Sequence, residues 1–224
     1  MEKIITFKNP ADAVNRLDNG GRFYNIFTEP NDQVISLAEV GKVAGLFFEK
    51  QRAVLFLEMT ISKLNESAKQ EVMATFDEDL LQAYAKFRPQ WLLPSEVAAK
   101  GTVSSSAIIT GVPRFKEKNS GLSGFVFIPA GKVFIMVPIF EQYDVYEISD
   151  EESSETFIIA HKKGEEKLPT QKIRVGGVLK EMNADKDNDK VKNKFLEVSY
   201  FIDEIAWANL PIKKPTMQLQ WPTS

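Results

Sequence analysis

The pattern of apolar residues changes once along this chain, between residues 94 and 102. Before the change, apolar residues recur every three or four positions, which is the period of one helix face, as in Val54, Leu57, Ile61 and Leu64. After it, β-branched and aromatic residues alternate with small or polar ones, as expected of strands. The chain is therefore predicted to be α+β, with a helical N-terminal region followed by an antiparallel β-barrel or β-sandwich.

The same change sets the predicted domain limits. Residues 1–97 form a mainly helical region, and residues 101–208 form an antiparallel β domain. Residues 209–224 form a tail that contains three prolines and Trp221. Pro94 is expected to end the last helix, because proline lacks the backbone N–H that a helix interior needs.

Local signals predict where several elements begin. Four or five helices are expected, with Asn9 as the cap of the first one. Capping boxes are expected at Ser36 with Glu39 and at Thr75 with Glu78. In the second half, residues 129–132 separate two apolar runs and predict a hairpin.

The supply of metal-binding and nucleophilic side chains is unusually small. The chain has no cysteine and one histidine, His161. A zinc site with several imidazole or thiolate ligands is therefore excluded, and a Ser-His-Asp triad could use only His161. The sequence also lacks a long apolar run of the kind that spans membranes or leads a signal peptide. It thus predicts a cytoplasmic protein with no membrane partner.

These exclusions favour a function without catalysis. Neither a dinucleotide-binding fingerprint nor a phosphate loop is present. The favoured prediction is a non-catalytic binding or assembly module with a protein partner. One alternative is an oligonucleotide-binding-like β-barrel protein. The other is a hydrolase that uses a carboxylate pair, for which the 31 acidic residues offer many candidates.

Residues 23–48 resemble an EF-hand. An aromatic-rich segment leads into a loop whose eighth position is Ile35 and whose twelfth is Glu39, where that family places a bidentate glutamate. The loop departs from the family pattern at positions one, three and six, which are Thr28, Pro30 and Gln33. The resemblance implies that Ca²⁺ would be bound by Asp32, Ser36 and Glu39. No other cofactor is predicted.

A second candidate site lies in the β region. Lys172, Arg174 and Lys180 surround a pair of glycines, and they would follow a phosphate backbone. Phe195 and Phe201 are predicted on the face opposite Leu196 and Val198, where exposed aromatic rings would stack on bases. The net charge of -3 gives no overall attraction to nucleic acid, which is therefore the less favoured partner.

Overall fold

The computed structural model describes residues 1–18, 31–46, 49–117, 124–130, 133–139, 143–149, 155–182 and 194–204. This part of the chain contains six helices, namely α1 (Pro10–Leu17), α2 (Leu37–Val43), α3 (Lys50–Ile61), α4 (Glu66–Met73), α5 (Glu78–Phe87) and α6 (Pro94–Lys100). It also contains nine strands, namely β1 (Glu2–Lys3), β2 (Gln90–Leu92), β3 (Ser106–Glu117), β4 (Gly124–Ala130), β5 (Val133–Ile139), β6 (Tyr143–Ser149), β7 (Thr156–Lys162), β8 (Ile173–Met182) and β9 (Lys194–Asp203). The predicted α+β class is confirmed. The predicted tail, residues 209–224, lies outside the described residues.

Two of the predicted helix starts are confirmed in detail. The Asn9 side chain accepts a hydrogen bond from the backbone N–H of Asp12, and Pro10 occupies the first helical position of α1. Ser36 and Glu39 form the reciprocal capping box that begins α2. Polar side chains at these positions satisfy backbone N–H groups that have no partner within the helix.

Two other predictions at helix ends are wrong. The cap of α5 is Asp77, whose carboxylate accepts the backbone N–H of Leu80 at 2.7 Å. Thr75 instead donates its hydroxyl to the carbonyl of Val72. Pro94 begins α6 rather than ending a helix, because the first turn needs no N–H from that residue.

The nine strands form one mixed sheet in the order β1-β9-β7-β6-β3-β8-β4-β5, with β2 beside β3. The predicted hairpin is confirmed, since β4 and β5 pair in antiparallel fashion. A wholly antiparallel sheet is wrong, because β1–β9, β2–β3 and β7–β9 are parallel pairs. The prediction assumed short connections between neighbouring strands, whereas these pairs join strands that are not consecutive or are linked through α6.

Five strands pair in a circuit. β3 pairs with β6 and β8, β6 with β7, β7 with β9, and β9 with β8. Buried residues from all five strands form one apolar cluster, which also includes Val97 of α6 and Leu168.

The opposite face of the circuit contacts the helices. Ile108, Tyr200 and Ile202 belong to the same buried cluster as the apolar residues of α3. The approach is close, since a Cβ added to Gly176 would lie 2.2 Å from the Met59 sulfur. Helices and sheet therefore share a core over β8 and β9. Within the described residues, none of the helices has the length and apolar character needed to cross a membrane.

Candidate functional site around Trp91 and Arg174

The basic residues predicted to bind a phosphate backbone along β8 do not form one continuous exposed surface. Lys172 precedes the strand and is half-buried. Arg174 and Lys180 share the outer face, because both are an even number of residues from Gly176. Helix α3 covers that face at Gly176, between the two cations. Six residues of strand place them about 20 Å apart, on opposite sides of the helix.

Lys180 lies in a closed cluster. The residue is 5% exposed, and its ammonium group pairs with the carboxylate of Glu197. Tyr143 donates its hydroxyl to the same carboxylate at 2.9 Å. A cavity of about 340 Å³ lies beside this cluster, and Arg52 and Lys162 also line it. Lys180 is thus already neutralised within the fold.

The exposure predicted for Phe195 and Phe201 is wrong. Phe195 is fully buried against Tyr143, with ring centroids 5.7 Å apart. Phe201 is 4% exposed and lies in the same cluster as Leu196. Phe195 does lie on the face opposite Leu196 and Val198, but Tyr143 and its neighbours cover that face. Phe201 changes face because of a shift in register, since Gly176 pairs with Tyr200 but Gly177 pairs with Val198. The extra residue in β9 reverses the alternation on which its prediction was based.

The predicted calcium ligands are used within the loop itself. Asp32 accepts the backbone N–H of Val34, and Glu39 accepts both the N–H and the hydroxyl of Ser36. Burial raises the pKa of the Glu39 carboxyl, against the effect of these hydrogen bonds, and Asp18 and Asp32 raise it further. The described residues contain no group of three potential metal ligands. Calcium binding stays a prediction.

A different site forms around Trp91. The parallel pairing of β2 with β3 places Trp91 opposite Ile108, on the face that contacts the helices. Its indole N–H donates to Glu58 Oε1 at 3.0 Å, and the Tyr84 hydroxyl donates to the other oxygen of Glu58. Burial raises the pKa of Tyr84, and its hydrogen bond to Glu58 raises it further. Despite these contacts, Trp91 remains 41% exposed.

Arg174, one of the predicted binding residues, lies over the Trp91 ring at 5.0 Å from the centroid. Its guanidinium donates to the Ser62 hydroxyl at 2.7 Å and forms an ion pair with Glu204 at 2.8 Å. Lys63 lies 3.8 Å from the same carboxylate. Burial lowers the pKa of Arg174, and the charge of Glu204 opposes that effect.

Further cations continue outward along β3. Thr110 pairs with Arg174 across the strands, and alternation places Arg114 on the same face. The β3–β6 pairing is irregular at Lys116, but the ion pair of Lys116 with Glu147, the cross-strand partner of Arg114, brings its ammonium group to this face. Arg114 and Lys116 are both exposed. We call Trp91, Arg174, Thr110, Arg114 and Lys116 the outer β3 face.

On the other side of this strand, Phe115 is 41% exposed. It packs edge-on against Tyr146 at 5.2 Å, and the Lys167 ammonium lies 5.1 Å from its ring centroid.

Sequence reasoning predicted Arg174 but missed its surroundings. In the sequence, Trp91 lies near the boundary between the two regions, where an aromatic residue usually indicates packing. Glu58 merely interrupts a run of apolar residues. Arg114 and Lys116 did carry a signal, because they flank Phe115 with the spacing of one strand face. What the sequence could not supply is the pairing of β2 with β3 that brings Trp91 beside Arg174.

The arrangement combines an exposed aromatic ring with cations along one strand. Such a surface is suited to stacking and to contacts with negative charge. No protein-family model matches this chain, and no curated protein matches it closely enough to be a relative.

Proposed function

We propose that the chain is a non-catalytic module that binds single-stranded nucleic acid through the outer β3 face. The observation that carries the proposal is the Trp91 ring, which is substantially exposed while Arg174 and Glu58 hold it. Proteins that bind single strands without sequence preference combine aromatic stacking with cations that follow the backbone. Arg114 and Lys116 supply the exposed cations here, whereas Arg174 is paired with Glu204 and serves to hold the ring.

The strand circuit supports the same proposal. We propose that β3, β6, β7, β8 and β9 form a small closed barrel of the oligonucleotide-binding type, a five-stranded Greek-key architecture. In such barrels the face of the second and third strands, here β6 and β7, and two loops beside it bind oligonucleotides and oligosaccharides. The outer end of β3 pairs with β6 next to that face. The fold alone does not specify a ligand, so the argument depends on the side chains of the outer β3 face.

Charge is the second consideration. The chain as a whole carries a net charge of -3, which opposes non-specific binding of phosphate backbones. Attraction must therefore be local, and Arg114 and Lys116 are exposed at one end of the face. Glu147 neutralises part of this charge through its pair with Lys116. We accordingly expect moderate affinity that depends on salt.

The test is a fluorescence anisotropy titration of labelled oligonucleotides of about 12 nucleotides, a length within the site range of such barrels. Replacing Trp91→Ala should weaken binding about tenfold or more, because one base-stacking contact is worth about 1–3 kcal/mol. Arg114→Ala should reduce the slope of log affinity against log salt by about 0.7, the value for one phosphate contact on a single strand.

Leu93→Ala is the matched control, because Leu93 directly follows β2 and is 45% exposed but has no ring. Its affinity should equal that of the unmodified protein. Absence of binding at low salt would refute the proposal. Equal losses of affinity in Trp91→Ala and in the control Leu93→Ala would also refute it. Comparable binding of a neutral oligosaccharide would show a different ligand class on the same barrel.

A further inference from the structure

The carboxylate of Glu58 is an unusual component of α3. Nine residues of this helix, from Ala53 to Ile61, are buried, and Glu58 is 2% exposed among them. Removing a charged group from water is costly, and an apolar side chain of similar volume would often serve stability equally well. A role in stability alone therefore explains this residue poorly.

Both hydrogen bonds of Glu58 come from neutral aromatic side chains. Tyr84 of α5 donates its hydroxyl to one oxygen, and Trp91 of β2 donates its indole N–H to the other. Tyr84 is itself buried and packs edge-on against Phe76, with ring centroids 6.0 Å apart. The carboxylate thus connects a fixed, buried ring to an exposed one.

An exposed tryptophan has two side-chain torsions that are free to change in solution. Here the N–H of Trp91 is held at 3.0 Å by Glu58, while the Arg174 guanidinium lies over the ring. Arg174 is fixed in turn by Ser62 at 2.7 Å and by Glu204 at 2.8 Å. These contacts define both the tilt of the indole and the position of the cation.

We propose that Glu58 is a positioning residue that fixes the Trp91 indole in one orientation and so prepares it for stacking with a base. A carboxylate that accepts the indole N–H also increases electron density in the ring, which strengthens its attraction for Arg174. Binding then requires less ordering of the side chain, and a prepared contact has a smaller entropic cost. The identity of the ligand in this inference rests on the proposed function. The fixed orientation of Trp91 does not depend on that function.

The experiment compares Glu58→Leu with Glu58→Gln in the full chain. The leucine removes both acceptors, whereas the glutamine retains an acceptor oxygen for the indole. The first measurement is the indole N–H resonance of Trp91 in the free protein. Glu58→Leu should move it upfield and make the side chain mobile on the nanosecond timescale, and Glu58→Gln should restore most of the ordered state.

The second measurement is oligonucleotide affinity. Glu58→Leu should weaken it about fivefold, within the range of a lost ordering contribution, and Glu58→Gln should recover most of that loss. Tyr84→Phe provides a second variant if Glu58→Leu does not fold. It removes the hydrogen bond that orients the carboxylate but leaves the acceptor for Trp91, so the indole should become more mobile than in the unmodified protein and less mobile than in Glu58→Leu.

Each outcome has a distinct meaning. An unchanged Trp91 resonance in Glu58→Leu overturns the positioning role, and so does an ordered-to-mobile change that leaves affinity intact. If the unmodified protein binds no oligonucleotide, the proposed function fails, while the resonance still decides whether Glu58 orients Trp91. A change in both measurements that glutamine reverses supports the inference.

Discussion

The two ends of β8 carry cations on the same face, and their surroundings differ. At one end, Arg174 lies over an exposed ring and donates to a hydroxyl as well as to a carboxylate. At the other end, Lys180 is 5% exposed and paired with Glu197. Both cations are ion-paired and mostly buried, since the Arg174 side chain is 16% exposed, but Arg174 contacts an exposed ring and Lys180 lies in a buried cluster. The elements packed across the strand determine this difference.

The largest expected difference between the two ends is in stability. Lys180→Met should lower the free energy of unfolding by about 3 kcal/mol, because it leaves Glu197 largely buried without its cation. Arg174→Met should cost about 1 kcal/mol, since Glu204 keeps Lys63 at 3.8 Å. Urea unfolding measures both values.

Adding Glu197→Gln to Lys180→Met should recover much of the stability that Lys180→Met loses, because the carboxylate left without its cation is then replaced by a neutral amide. Equal losses from the two single substitutions would contradict the contrast between the ends.

A second prediction concerns the glycine pair between the two cations. A Cβ at Gly177 would lie 2.0 Å from the backbone oxygen of Glu197, whereas one at Gly176 would meet the flexible side chain of Met59. Gly177→Ala should therefore cost about 3 kcal/mol and Gly176→Ala about 1 kcal/mol, within the range for overpacked sites. Thermal unfolding of the two variants tests this order. A larger loss at Gly176 would show that α3 approaches β8 more rigidly than these contacts indicate.

The smallest expected effect on the free energy of unfolding comes from Tyr200 and is seen only at alkaline pH. Burial raises the pKa of Tyr200, which pairs with Gly176, to about 12, from an ordinary value of 10.0. Between these values the unfolded chain loses a proton that the folded protein keeps. Stability present below pH 10 is therefore lost as the pH rises towards 12, by up to about 2 kcal/mol.

Tyr200→Phe should remove this part of the alkaline loss and leave stability near pH 7 almost unchanged. Unfolding titrations at pH 8 and pH 11 measure the difference. An unchanged alkaline loss in the variant would assign it to other groups, of which Tyr84 is one because burial also raises its pKa.

Periodicity predicted much of the fold. The β4–β5 hairpin and the caps of α1 and α2 follow from local patterns and are confirmed. The parallel pairs were not predictable, because they depend on which distant segments meet. The exposure of Phe201 was predicted wrongly because one extra residue in β9 changes which face its side chain occupies, and alternation in the sequence does not mark it. Phe195 lies on the predicted face but is buried against Tyr143, a contact between distant segments.

The sequence by itself determined the α+β class, the exclusion of thiolate and multi-histidine chemistry, and the presence of Arg174 as a candidate. Each of these depends on composition or on contacts between near neighbours in the chain. Tertiary structure decided which candidates are accessible. Pairing of β2 with β3 brought Trp91 to Arg174 of β8 and to Glu58 of α3, while burial against Glu197 withdrew Lys180. Such contacts join residues more than 15 positions apart, and local patterns cannot specify them.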